Sequence, residues 1–194
     1  MSRRKGLSFI VKEKKFDKKK FDNALNWLLW IAITIFIAWV TVYCFAEHIV
    51  SIGESMSPTV VNAEDVYYSR FTYIIGKPKR DDVIAFHLNG NTNSHLYIRR
   101  VVGIPGDTLT VNGGRLYING ELYDGEADLS YINDAGLLEN GVTLSDGEYF
   151  VIGDNINSSE DSRSGNVGNI PEKDIVGKVW ISVSLDDKDI HLIR

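Results

Sequence analysis

The chain has 194 residues, a net charge of −5 and 44% hydrophobic content. That length and apolar fraction allow one ordinary domain plus a smaller element, and they exclude a chain disordered throughout. The charge is asymmetric: residues 1 to 20 hold nine Lys or Arg (Arg3, Arg4, Lys5, Lys12, Lys14, Lys15, Lys18, Lys19, Lys20) against Glu13 and Asp17, and the remainder is acidic. A basic tail on an acidic body can signal nucleic-acid binding. Here it abuts an apolar run, so a membrane takes precedence and no nucleic-acid partner is expected.

From Ala24 to Ala46 there are 23 consecutive residues without a formal charge. As a helix this run covers roughly 33 Å, close to the hydrocarbon thickness of a bilayer. Trp27 and Trp30 at one end and Tyr43 at the other suit the two interfaces. A cleaved signal peptide would have an apolar region of only about 7 to 15 residues. The crowding of Lys and Arg before the run predicts a cytoplasmic tail (1–23), a transmembrane helix (24–46) and an extracytoplasmic domain (47–194). Cys44 is the only cysteine, so no intramolecular disulfide forms and stability must come from packing.

Beyond the span, short β-type runs alternate with turn signals. Strands are expected at Asp82–His87, Leu96–Val102, Asp107–Val111, Arg115–Ile118, Glu148–Ile152 and Val176–Val183. Asn112-Gly113 and Asn119-Gly120 are strong hairpin signals, since both residue types tolerate the positive φ of tight turns, and Asp107–Leu122 reads as an antiparallel meander. Residues 124 to 147, acidic and weakly periodic, read as a surface excursion. The aromatic-rich run Tyr67–Ile75 reads as strand core, with membrane-surface contact as the alternative. The fold class is mainly β, one antiparallel domain behind one helix.

Three segments set polar or reactive residues into Gly- and Pro-bearing turns between apolar strands. They are Gly53-Glu54-Ser55-Met56-Ser57-Pro58-Thr59, Tyr97-Ile98-Arg99-Arg100-Val101-Val102-Gly103-Ile104-Pro105-Gly106-Asp107, and Gly153-Asp154-Asn155-Ile156-Asn157-Ser158-Ser159-Glu160-Asp161-Ser162-Arg163. In order and spacing they resemble the boxes of the type I signal peptidase family: Ser-Met-x-Pro-Thr just after a membrane span, Lys-Arg-hydrophobic-hydrophobic-Gly-x-Pro-Gly-Asp, and Gly-Asp-Asn-x-x-x-Ser-x-Asp-Ser-Arg. Arg80-Asp81-Asp82-Val83-Ile84-Ala85-Phe86 resembles a further box, and the similarity runs from the span to about Lys178.

The resemblance implies a membrane-bound serine endopeptidase that removes signal peptides from exported preproteins at Ala-x-Ala-like sites, monomeric and without metal or cofactor. It makes Ser55 the nucleophile, whose backbone amide helps to hold the oxyanion. Gly53 stands where some members carry a serine that adds a second donor. Ser159 would orient the base, Asp161 and Arg163 would pair and brace the loop, and Ile156 replaces a usual Arg. Ile52, Met56, Tyr97 and Ile98 would wall the pockets for small substrate residues.

The family's general base is a Lys, and that position holds Arg99. Burial can lower a lysine from about 10.4 by several units, whereas a guanidinium stays protonated, with a neutral fraction below about one in 10⁵ at neutral pH. His95 would lie roughly 13 Å along a regular strand from Arg99, and His48, His87 and His191 remain as other bases. Two functions are therefore open: an active signal peptidase with an unusual base, or a non-catalytic homologue that binds substrate or assists assembly of surface structures. A tethered self-cleaving protease is a third reading, weakened by the lack of an internal cleavage segment.

Overall fold

A computed structural model describes residues 18–45, 47–127, 129, 131–184 and 189–193. The expected tail residues 1–17 and the side chains of Tyr43 and Cys44 lie outside the described ones. Helix α1 (Lys18–Phe45) begins six residues before the uncharged run, because Lys18–Asn23 includes strong helix formers that extend it. Its segment Lys18–Val42 is long and apolar enough to cross a membrane, and none of its most apolar window is buried. Trp27, Trp30 and Trp39 are all well exposed on it.

The second unit begins near Val42 and is built of strands. Among the described residues they are β1 (Glu47–Val50), β2 (Asp65–Ser69), β3 (Val83–Phe86), β4 (Tyr97–Gly103), β5 (Thr108–Asn112), β6 (Arg115–Ile118), β7 (Glu121–Leu122), β8 (Val142–Thr143), β9 (Glu148–Ile152), β10 (Ile170–Pro171), β11 (Ile175–Val183) and β12 (Ile190–Leu192). The larger sheet runs β1-β2-β11-β3-β4-β9-β10, with β12 added to β11; the smaller runs β7-β6-β5-β8. Every pairing is antiparallel. The mainly β fold and all six expected strands are present, with no end shifted by more than one residue.

The meander forms as its turn chemistry dictates. Gly113 and Gly114 close the β5–β6 hairpin at φ +58° and +74°, and Asn119 and Gly120 close β6–β7 at +54° and +85°. Strand β4 is central, since Arg99 pairs with Ile84 of β3, and Arg100 pairs with both Val83 of β3 and Ile152 of β9. A seven-residue strand buried from Ile98 onward gives its two arginines fixed positions, and consecutive side chains leave a strand on opposite faces.

Two expectations need correction. The stretch 124–147 is no mere surface excursion: Ala127, Leu129, Ile132, Leu138 and Leu144 are buried with Leu109, Leu116 and Phe150 in one cluster. Their irregular spacing matches no helical or strand period, which hides this core contribution from a pattern reading. The aromatic run also divides. Tyr68 is buried on β2, but the chain then turns into the four-residue helix α2 (Thr72–Ile75), where Ile74 and Ile75 are exposed. Leu138→Ala should destabilise the domain by about 2–5 kcal/mol in chemical denaturation, as a core truncation does; a loss near zero would return the excursion to the surface.

Candidate active site

Ser55 lies in the loop between β1 and β2. The loop is closed at its base by Ser51 N–H to the Glu64 carbonyl (2.8 Å) and Ala63 N–H to the Ser51 carbonyl (2.9 Å). Gly53 takes φ +92° and donates its N–H to Asn62 Oδ1 at 2.8 Å. A serine there has open space for its Cβ but would adopt a left-handed backbone that L side chains resist. Met56 is buried in the core beside Val60 and Ile98, which anchors the residue after the serine. The Ser55 N–H has no intramolecular acceptor among the described residues, so it is open to an incoming oxygen.

A second loop, Gly153–Arg163, grips the first. Asn155 donates its backbone N–H to the Ser55 carbonyl (3.0 Å) and its Nδ2 to the Glu54 carbonyl (3.1 Å). The approach is close: a Cβ on Gly153 would stand 2.4 Å from the Ser55 carbonyl oxygen and 2.5 Å from Ser159 Cβ. Arg100 forms a bidentate pair with Asp154, Nε to Oδ1 at 2.8 Å and Nη2 to Oδ2 at 2.7 Å, with both residues buried. Asp154 also accepts from Thr59 Oγ1 at 2.5 Å, which joins all three boxes through one carboxylate. Truncating one member of such a buried pair costs far more than the pair's net contribution to stability.

Arg99 reaches Ser55 from β4. Its Nη1 donates to Ser55 Oγ at 2.8 Å and to the Ile98 carbonyl at 2.6 Å, while Nε and Nη2 both donate to the Glu160 carbonyl at 3.0 and 2.6 Å. Its guanidinium also lies 5.9 Å from the centre of the Tyr97 ring. Burial pulls Arg99 below the usual arginine value, and Asp161, Tyr97 and Glu160 oppose that shift. Arginine nonetheless keeps its proton in proteins, and every Arg99 contact with a hydrogen-bond acceptor is a donation. The Ser55 hydroxyl therefore receives a hydrogen bond from residue 99, whereas a base at that position would have to accept the serine proton.

Among the described residues Ser159 makes no hydrogen bond with Arg99. Its hydroxyl donates to Asp161 Oδ2 and accepts from Arg163 Nη2 at 3.3 Å. The orienting contact on Arg99 comes instead from the neighbouring Glu160 carbonyl, a backbone group that a reading of side-chain types does not register. Asp161 and Arg163 pair at 2.8 Å, almost wholly buried, so this is no solvated surface pair. Arg163 also donates to the Asp134 carbonyl at 3.0 Å and the Ile156 carbonyl at 2.5 Å, tying residues 134 and 156 to the loop. Ile156 itself points into the core cluster, where a charged side chain would be costly.

A cleft of about 250 Å³ opens beside the pair, lined among others by Ile52, Ser55, Met56, His95, Tyr97, Ile98 and Arg99. The four expected wall residues thus meet around Ser55. His95 lies there as well, and it precedes β4, so a regular-strand spacing from Arg99 does not apply to it. His48 of β1 lies with its ring tilted against Tyr67 of β2, His87 follows β3, and His191 is exposed on β12. Among the described residues no group of three or more His, Cys, Asp or Glu is placed to hold a metal ion.

A serine held against a buried basic side chain on an antiparallel β scaffold is similar to the arrangement of a serine peptidase that pairs its serine with a basic residue rather than a histidine; here the residue beside Ser55 is an arginine, which donates to it. Residues 24–184 match the family described as signal peptidase, peptidase S26. Signal peptidase I P of Bacillus subtilis subsp. natto is 34% identical over 173 residues, covering 83% of this chain and 89% of that protein. Signal peptidase I S of Bacillus subtilis strain 168 is 34% identical, covering 86% and 91%. Signal peptidase IB of Staphylococcus aureus strain Mu50 is 32% identical, covering 80% and 86%. A crystal structure of a signal peptidase I from Enterococcus faecalis V583 aligns at 27% identity and a TM-score of 0.40, covering 53% of this chain and 97% of that one. The chain belongs to the signal peptidase family, a family of serine endopeptidases, and carries one N-terminal candidate membrane span.

Gly153→Ala should lower stability by about 1–3 kcal/mol, because the new methyl meets a backbone oxygen that cannot move aside. Gly165→Ala, with open space at its Cβ and no left-handed backbone, should be close to neutral. Chemical denaturation of the two variants checks the contrast.

Proposed function

We propose that this protein engages the signal peptides of exported preproteins at the cleft beside Ser55, and that Arg99 holds Ser55 in a state that does not turn substrate over. The observation that carries this reading is the 2.8 Å hydrogen bond donated by Arg99 Nη1 to Ser55 Oγ. A permanent cation in the base position cannot take the serine proton. Family membership supports signal peptides as the ligand class, and the apolar lining of Ile52, Met56, Tyr97 and Ile98 suits small alanine-type side chains at Ala-x-Ala-like ends. The apolar helix α1 supports anchoring in the bilayer with the basic tail in the cytoplasm and residues 47–194 outside. The protein then acts as a substrate-binding or assembly factor on the peptidase scaffold.

A second reading has one observation in its favour. His95 lines the same cleft as Ser55, and an imidazole is a common general base. In that case the protein is an active signal peptidase whose base comes from outside β4.

Cleavage of a preprotein with an Ala-x-Ala site by the full-length protein in detergent separates the two. The first reading expects no cleavage by wild type and measurable cleavage by Arg99→Lys, abolished again by adding Ser55→Ala. Wild-type cleavage that is lost in both Ser55→Ala and His95→Ala would establish the second.

A further inference from the structure

Arg99 is 6% exposed, and among the described residues no carboxylate lies within ion-pairing distance of it. The nearby carboxylates are engaged elsewhere: Asp161 pairs with Arg163, Asp154 pairs with Arg100, and the Glu160 side chain accepts from Asn166. What surrounds the guanidinium is two backbone carbonyls and one hydroxyl. These dipoles, with Asp161 and Glu160 acting from a distance, offset the buried cation in part, no carboxylate contacts it directly, and the residue lines the cleft that opens at Ser55.

Ser55 and Arg99, which both line the cleft, supply hydrogen-bond donors. The Ser55 hydroxyl receives its bond from Arg99 and keeps its own proton to give, and the Ser55 N–H is unclaimed. Arg99 Nη2 makes one hydrogen bond, to Glu160, out of the two its N–H groups allow. A peptide chain crossing the site presents a neutral carbonyl, which draws little on a full positive charge. A chain that ends there presents a carboxylate, with two oxygens for three kinds of donor and a charge opposite to the uncompensated one.

We infer that the site is a receptor for the carboxylate end of already released signal peptides, with the Ala-x-Ala terminus in the cleft and its terminal carboxylate on Ser55 and Arg99. This rests on the signal-peptide reading above and narrows its ligand from the intact preprotein to the cleavage product. Replacing a neutral amine by a guanidinium reverses which form the site favours: the amine serves the reaction and releases the acid, whereas the cation retains it. The reaction that supplies this ligand is hydrolysis of preproteins by a separate, active peptidase.

The test is fluorescence anisotropy with labelled peptides and the full-length protein in detergent. One peptide carries an apolar signal segment ending in Ala-x-Ala with a free carboxyl, the second is the same peptide as its C-terminal amide, and the third keeps the free carboxyl but has Phe in place of both alanines. The acid should bind wild type about tenfold or more tighter than the amide, as a charge-assisted hydrogen-bond pair demands, and tighter than the Phe peptide. In Arg99→Met the acid-to-amide ratio should fall to near one. Equal binding of acid and amide by wild type overturns the inference and leaves signal-peptide recognition standing. Equal binding of the Phe acid means that any peptide terminus is accepted and overturns the assigned source. No binding of any of the peptides overturns the signal-peptide reading as well. The wild-type ratio decides the matter even if Arg99→Met does not fold.

Discussion

The site is organised by a hydrogen bond that runs in an unusual direction. Arg99 is planar, permanently charged and pinned at both edges, by the Glu160 carbonyl on one side and the Ile98 carbonyl on the other. A further N–H, on Nη1, is aimed at Ser55 Oγ. A flexible, neutralisable amine on the same strand could adjust to an incoming substrate and accept a proton. The guanidinium can do neither, and its fixed fork sets the position of the serine hydroxyl as well as its protonation.

The rest of the domain serves to bring these two residues together across a large sequence separation. Strand β4 sits between β3 and β9, so Arg99 has little freedom at its backbone. The serine loop, by contrast, belongs to no strand and is held by its neighbours: Asn155 on two consecutive carbonyls, and Asp154 on Thr59. Those contacts require Gly153 to come within van der Waals reach of the Ser55 backbone. The buried Asp161–Arg163 pair then fixes the far end of the gripping loop, and it reaches Asp134 in the stretch that packs over the smaller sheet. Two buried ion pairs thus do positional work, since their strict geometry excludes alternative loop arrangements even where their net stabilisation is small.

Much of this was legible in the residues. Alternating apolar runs bounded by Asn-Gly turns gave β3, β4, β5, β6, β9 and β11, because strand period and turn chemistry act locally. The three reactive segments converge around Ser55, and the Arg at position 99 is visible directly. Other features depend on tertiary context that no local pattern encodes. The irregular apolar residues from Ala127 to Leu144 join the core without a period, and the exposed helix α2 interrupts an aromatic run that reads as strand. The orienting acceptor on Arg99 is a backbone carbonyl, and Ser159 turns to Asp161 instead. His95 reaches the cleft from the loop before β4, where strand spacing does not govern its distance from Ser55.

The central claim is that Arg99 keeps the Ser55 hydroxyl from acting as a nucleophile. It is tested most directly by intact-mass spectrometry of the full-length protein after exposure to a serine-reactive acylating electrophile at neutral pH. The account predicts an unmodified wild type and a single adduct on Ser55 in Arg99→Lys, increasing with pH as the amine loses its proton. A Ser55 adduct formed by the wild-type protein at a comparable rate would contradict it.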